Sequence, residues 1–358
     1  MRLVSFLWLI VMFIGVVPTQ LCAAANGDDE AEPAVFYPPP PNLPRLQFLT
    51  KFASAYDVSE GSGGFRDFVF GGEKAEEQAI EKPFGVDIYK GAIYAVDSRG
   101  SGYVVFDVGA GKWRTVTGTG NGAMPKPINI KIDTDGKRYI TDTIRNEVLV
   151  FDTADRFVRS YGDKGQFRPV DIAISQARLY VSDSANNKIH VLDKVSGEVL
   201  FEFGGAGQAP GNMTHPTSLA LGPDGSVYVS DTTNFRIQQF TADGEFIRSF
   251  GSAGTGYGQF ARPKGLDVDR EGRIYVVDAA FQNVQIFDDE ARVLMYFGGG
   301  GDGPGDMNLP TVVTIDYDNV EYFRKYAAPG FEIEYLVLVA NQYGSNKVAV
   351  YGFGSEVD

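Results

Sequence analysis

Acidic and amide side chains recur at one position of a repeating pattern in this 358-residue chain. Each ends a short apolar run such as Tyr-Val-Ser-Asp. A catalytic acid is needed once or twice in a site, not in every repeat, whereas Asp and Asn commonly stabilise turns by accepting backbone N–H groups. We therefore predict a structural role for these side chains. They are Asp97, Asp142, Asp183, Asp231 and Asp278, with Asn341 at the sixth position.

A basic residue directly precedes the proline that opens each repeat, in five repeats out of six. The formal net charge of the chain is −14, so a repeated cation is unexpected. If the repeats close into a ring, these side chains form a positive ring that receives an anionic ligand or an acidic loop of a partner. The alternative is that each pairs with an acid of a neighbouring repeat. The residues are Lys82, Lys126, Arg168, His215 and Arg262, with Leu309 in the sixth repeat.

Oxygen ligands for a hard cation are sparse at the position two residues after each opening proline. Calcium takes six or more oxygens, and only two residues of this set, from neighbouring repeats, are good ligands. We retain a weak metal site, calcium being the candidate ion, at Asn129 and Asp171 and predict no other cofactor. The full set is Gly85, Asn129, Asp171, Ser218, Gly265 and Val312.

Catalytic clusters are not evident elsewhere. The chain has two histidines, His190 and His215, so a zinc site built on three histidines is excluded. No Ser-His-Asp motif is present. Glycine-rich stretches such as 204–211 follow strands and do not lead from a strand into a helix, so we interpret them as connections and not as phosphate loops. No catalytic residue is predicted, and a non-enzymatic role is favoured.

The elements that carry these residues form a six-fold repeat. Opening prolines are spaced by 44, 42, 47, 47 and 47 residues. Each unit contains three alternating strands, and five units end in a fourth strand of the form seen in Phe246–Gly251. The sixth unit lacks its fourth strand, but Phe48–Ala53 has the same pattern and precedes the first unit. We predict an all-β six-bladed β-propeller of four-stranded antiparallel blades, closed by an N-terminal strand that completes blade 6. The opening prolines are Pro83, Pro127, Pro169, Pro216, Pro263 and Pro310.

The N-terminal segment predicts export. Arg2 precedes the apolar run Leu3–Val17, which is shorter than the roughly 20 residues of a membrane-spanning helix, and small residues follow. Residues 1–25 are interpreted as a cleaved signal peptide, with a signal anchor as the alternative, and we predict a periplasmic or extracellular protein without a membrane span. Lipid attachment at Cys22, the single cysteine, is left open.

Residues 26–44 are interpreted as an acidic, proline-rich linker and 45–358 as the propeller, with blades near 82–118, 125–162, 167–204, 213–251, 260–298 and 307–352.

The unit Pro216–Phe240 resembles NHL repeats, and Pro263–Phe287 is nearly as similar; the resemblance extends over roughly 82–352. It implies a scaffold that binds a protein or extended ligand through one propeller face or the channel mouth. It also implies two alternatives: a propeller-type lyase or hydrolase that uses a channel-bound divalent cation, and an accessory component that docks with multihaem cytochromes. NHL-type amidating lyases use histidine clusters, which this chain lacks. Strong acidity opposes nucleic-acid binding, so a protein partner is expected.

Overall fold

The computed structural model describes residues 33–58, 78–162 and 165–357. The predicted signal peptide, Cys22 and the first part of the predicted linker lie outside the described residues. Within the described ranges, no helix is both long and apolar enough to cross a membrane.

Six antiparallel sheets make up the described chain and form the blades of a propeller, which confirms the predicted fold class. The strands a to d of each blade follow one another in sequence and in space, except in blade 6. Their bounds are Pro83–Tyr89, Ala92–Asp97, Gly102–Asp107 and Lys112–Val116 in blade 1; Pro127–Ile132, Arg138–Asp142, Glu147–Phe151 and Phe157–Tyr161 in blade 2; Pro169–Ile174, Arg178–Asp183, Lys188–Asp193 and Val199–Gly204 in blade 3; Pro216–Leu221, Val227–Asp231, Arg236–Phe240 and Phe246–Phe250 in blade 4; Pro263–Val268, Ile274–Asp278, Asn283–Phe287 and Val293–Gly298 in blade 5; Pro310–Asp316, Phe331–Asn341 and Val348–Glu356 in blade 6.

Strand a is the innermost strand of every blade. Each strand a contacts the strand a of the next blade, and that of blade 6 contacts that of blade 1, so the six strands surround a central channel. Strands b and c are almost completely buried, because their valine, isoleucine and aromatic side chains pack on both neighbouring blades. The hydrophobic core is therefore a series of layers between blades.

An N-terminal strand completes blade 6, as the sequence predicts. Leu46–Phe52 pairs antiparallel with Val348–Glu356 and supplies the outer strand. A short strand, Phe36–Tyr37, then adds a fifth strand to the same sheet. It lies in the segment interpreted as a linker, and it is held there because Phe36 packs on Phe331 and Tyr37 packs on Phe297. The packed part of the chain therefore begins before residue 45.

Candidate functional site

The repeated acid at the end of strand b fixes the backbone at the start of strand a. In blade 5 the carboxylate of Asp278 accepts hydrogen bonds from the N–H groups of Ala261 and Arg262 at 2.7–3.1 Å. The same carboxylate accepts the N–H groups of Ala280 and Phe281 in the turn after strand b. Asp97, Asp142 and Asp183 make equivalent bonds. These acids therefore position the residue before the opening proline in blades 1, 2, 3 and 5, whereas in blade 4 Asp231 accepts the N–H of Thr214 and the N–H of His215 donates to Asn187 Oδ1.

The basic residues before the opening prolines surround the channel mouth on one face of the propeller. Their side chains are exposed or half-buried. In the described part of the chain, none of them forms an ion pair within 4.0 Å of an acid, although many other basic residues do. The alternative in which each pairs with an acid of the adjacent blade therefore finds no support among the described residues. The set is Lys82, Lys126, Arg168, His215 and Arg262.

A further cation at this mouth, Lys264, was missed from the sequence. It follows the opening proline of blade 5, and its ammonium group lies 5.0 Å from the centre of the Phe84 ring in blade 1. Lys82 makes a similar contact with the ring of Tyr343, at 5.4 Å. The available signal was a lone lysine at a position where the other five repeats carry apolar residues or threonine. We call Lys264 and the five residues before the prolines the mouth ring.

The pKa values of Lys264 and His215 are lowered in part by neighbouring cations of the mouth ring. Burial, followed by the charges of Arg262 and Lys82, lowers the pKa of Lys264 to about 8. Burial also lowers the pKa of His215, and the charges of Lys264, Arg168 and Arg262 add to the effect. Mutual repulsion without a described counter-ion raises the free energy of the empty ring, so an anion at this place is stabilised.

The proposed calcium ligands Asn129 and Asp171 lie together at the channel wall, but they bind each other. The Asn129 amide donates to Asp171 Oδ1, and Ser218 Oγ donates to Oδ2 at 2.5 Å. The N–H groups of Ile172 and Leu219 donate to the same two oxygens, at 2.7 and 3.0 Å. Asp171 thus joins three neighbouring blades, and its carboxylate is already fully engaged by hydrogen-bond donors. A cation there stays a prediction.

A second level of the channel carries charges that the sequence reasoning overlooked. Lys131 in blade 2 is held among carboxylates: burial opposes its charge, but Asp267, Asp87 and Asp171 raise its pKa. Burial raises the pKa of Asp87 to about 6, although Lys131 and two backbone N–H groups act against this. Asp87, Lys131 and Asp267 stand four positions after the opening prolines of blades 1, 2 and 5, so strand alternation could have identified them. The channel below the mouth ring is therefore predominantly acidic.

The two histidines do not share a site. His190 is buried on strand c of blade 3, where its Nε2 lies 3.0 Å from Asp183 Oδ2 and its ring packs on Phe167. His215 belongs to the exposed mouth ring. In the described residues, no group of three or more His, Cys, Asp or Glu side chains is arranged to hold a metal ion.

Blade 4 carries the repeat in its most regular form: an opening proline, a strand b ending in Asp231, and a strand c leading to Phe240. The family model described as "NHL repeat" matches residues 213–240, which cover this stretch. The chain is a six-bladed β-propeller with an NHL repeat in blade 4.

Comparison with known proteins places this NHL-repeat propeller among varied relatives. Peptidylglycine alpha-amidating monooxygenase of Rattus norvegicus is 31% identical over an alignment of 134 residues that covers 33% of this chain and 14% of that protein. The chain thus spans a small part of that relative. A virginiamycin B lyase from Staphylococcus aureus superimposes with a TM-score of 0.53 and 15% identity, over 75% of this chain and 80% of that one. A gluconolactonase from Xanthomonas campestris gives 0.57 and 14%, over 90% and 97%. At these identities the structural likenesses show the fold alone.

Proposed function

We propose that this NHL-repeat propeller is a binding platform that receives an acidic segment of a protein partner at the mouth ring. The observation that carries the proposal is the convergence, from five blades, of basic side chains without an acidic partner in the described chain. Many basic residues elsewhere on the described propeller pair with acids, for example Arg156 with Asp152 and Arg292 with Asp288. Free cations in a protein of net charge −14 favour an anionic ligand.

The channel below the ring limits where that ligand lies. In the described channel wall, Asp87, Asp171 and Asp267 act on the cation Lys131, so the channel repels an anion that has entered the mouth. An acidic segment is therefore held across the face and does not thread through the molecule. A ring of cations spread over several blades matches a peptide with several carboxylates better than a single small anion.

Reversing the charge of the mouth ring is expected to weaken this binding strongly. In the full chain, the double variant Arg168→Glu and Arg262→Glu should bind a fluorescein-labelled, capped hexaglutamate peptide at least about tenfold more weakly, measured by fluorescence anisotropy at low salt. Its thermal melting should stay within about 2 °C of the unsubstituted protein, because both side chains project into solvent.

The matched control is the double variant Arg156→Glu and Arg292→Glu. It changes the net charge equally, but its two arginines lie away from the mouth and are 79% and 69% exposed. This control should retain affinity within about twofold, since distant surface charges are screened by salt. Equal loss in both double variants, or undiminished binding in the ring variant, would contradict the proposal.

Affinity for the acidic peptide should also fall with rising pH. Because Lys264 has a pKa of about 8, its ammonium group loses its proton at a lower pH than is usual for lysine. The attraction for the acidic peptide therefore weakens as the pH passes through 8. A titration from pH 7 to 9.5 should show this step in the unsubstituted protein. The Lys264→Met variant should bind more weakly at pH 7 and lack the step. A step of equal size in that variant would assign the titration to another group.

The second candidate is a propeller-type lyase or hydrolase that uses a cation at Asn129 and Asp171. Its support is the likeness in fold to the virginiamycin B lyase and the gluconolactonase. Because hydrogen bonds already engage both oxygens of Asp171, we favour the binding platform over this enzymatic candidate.

A further inference from the structure

A pocket at the edge of blade 5 shares no lining residue with the mouth ring and has no role in the proposed platform. It has a volume of about 490 Å³ and opens to solvent. Three aromatic rings line it, together with the side chain of Asn283 and the backbone of a glycine-rich connection. The lining residues are Thr255, Gly256, Tyr257, Phe281, Asn283, Gln285 and Tyr296.

The equivalent place in blade 4, 47 residues earlier, is filled by the guanidinium of Arg236. This group donates to the backbone carbonyls of Gln208, Ala209 and Asn212 at 2.8–3.2 Å. Its Nε also lies 2.9 Å from the carboxylate of Asp231. The connection that precedes blade 4 therefore presents a set of acceptors that fits a guanidinium, and the chain supplies that guanidinium itself.

Two other blades satisfy the same carbonyls with donors of their own. In blade 2, Arg145 donates to the carbonyls of Asn121 and Ala123 at 2.6 and 3.1 Å. In blade 6, the amide of Asn346 donates to the carbonyls of Gly303 and Asp306, both at 2.8 Å. The connection before a blade is thus repeatedly closed by a side-chain donor from the start of strand c or from the turn that precedes it.

Blade 5 lacks this donor. Asn283 stands where blade 4 has Arg236, and within the described chain its side chain makes no hydrogen bond to Thr255 or Gly256. Its Oδ1 atom is buried and has no hydrogen-bond partner among the described protein atoms. A buried polar atom without a partner costs free energy, and native structures contain few of them. Two of the three carbonyl positions of blade 4, occupied in blade 5 by Thr255 and Gly256, therefore line the pocket without a guanidinium, whereas the third, Gln259, accepts the amide of Gln285 at 2.9 Å.

We infer that the blade 5 pocket binds the guanidinium of an arginine side chain from a partner protein. The carbonyls of Thr255 and Gly256 take the places of the Gln208 and Ala209 carbonyls in blade 4. Aromatic rings stand beside these acceptors, and guanidinium groups stack favourably on such rings. The strong negative charge of the protein also favours a cation.

The surface next to the pocket indicates where the residues that flank this arginine lie. Tyr257 and Tyr296, whose ring centres are 5.8 Å apart, separate the pocket from a groove of about 620 Å³. That groove is lined by Pro38, Pro39 and the exposed Leu294. Tyr257 is 77% exposed, although it is a large aromatic residue. An arginine followed by an apolar residue or a proline suits this arrangement.

The first test replaces Asn283 by arginine, the residue that blade 4 has at the equivalent position 236. In Asn283→Arg, the new guanidinium should occupy the pocket as Arg236 does in blade 4. The probe is N-acetyl-arginine amide, titrated into the full chain and followed by saturation-transfer NMR, with N-acetyl-citrulline amide as the neutral analogue of the same shape. We expect the arginine compound to bind at least about tenfold more tightly than the citrulline compound, and Asn283→Arg to lose this binding while melting at the same or a higher temperature.

Tyr257→Ala gives an independent variant that does not depend on the new arginine folding into place. Because this ring is mostly exposed, the substitution should leave melting unchanged and weaken the arginine compound several-fold. Val195→Ala, at a residue that is 80% exposed and outside the pocket, is the matched control and should have no effect. Equal binding of arginine and citrulline compounds, a preference for N-acetyl-lysine amide, or no detectable binding would each overturn the inference. The mouth-ring variants should bind the arginine compound normally.

Discussion

Replacing Phe52 by alanine should destabilise the propeller by about 3–5 kcal/mol. Phe52 lies in the N-terminal strand that completes blade 6 and is fully buried. Its ring centre is 5.5 Å from that of Phe106 in strand c of blade 1 and 6.3 Å from that of Phe323. This side chain therefore packs across the seam where the last blade meets the first. Its loss leaves a cavity at the place where the ring closes.

The measurement is the free energy of unfolding from urea titrations followed by circular dichroism. Lys51→Ala, one position earlier on the same strand, is the control, and it should cost less than about 1 kcal/mol because that side chain is only half-buried. A loss below about 1 kcal/mol in Phe52→Ala would show that the seam contributes little to stability, contrary to closure by this strand.

Asp171→Ala should also cost about 3–5 kcal/mol. Asp171 is 1% exposed, and its carboxylate accepts hydrogen bonds from blades 2, 3 and 4. Burial raises the pKa of this carboxyl, while Lys131 and the hydrogen bonds from Ser218 and Leu219 oppose the rise. Alanine leaves several buried donors without an acceptor and removes a neighbour of the buried Lys131. Denaturant titration measures the loss.

Two comparisons separate this structural role from cation binding. Asp243→Ala removes an exposed acid that pairs with Arg178, and it should cost less than about 1 kcal/mol. Calcium should leave the melting temperature of the unsubstituted protein unchanged if Asp171 serves only as a hydrogen-bond acceptor. A calcium-dependent rise that disappears in Asp171→Asn would instead favour the channel cation and the enzymatic candidate.

The number of blades and their closure were predictable from the sequence, because both follow from local patterns. Opening prolines mark where each strand a begins, and a strand b that ends in an acid marks the next turn. One blade cannot bury its apolar faces alone, so the repeat implies a ring, and the unmatched strand pattern at 48–53 supplies the missing edge. The positive ring was likewise visible as a repeated residue type.

The blade 5 pocket was not predictable from the residues at its wall. The 47-residue spacing aligns Asn283 with Arg236, but only the folded chain shows that Arg236 binds the carbonyls of the preceding connection. An exchange of arginine for asparagine at the start of a strand is unremarkable by itself. Its consequence depends on the backbone carbonyls that the connection before the blade places beside this residue.

The sequence by itself determined the repeat, its six-fold count and the strand that closes it, since each depends on residue types at regular spacing. The tertiary structure decided which side chains meet. Lys264 and Phe84 are far apart in the chain, and ring closure brings them within 5.0 Å at the channel mouth. Asp87, Lys131 and Asp267 gain their electrostatic coupling in the same way, because every strand a faces one axis. Spacing along a chain specifies the blades, whereas the contacts across the axis exist only once the ring has closed.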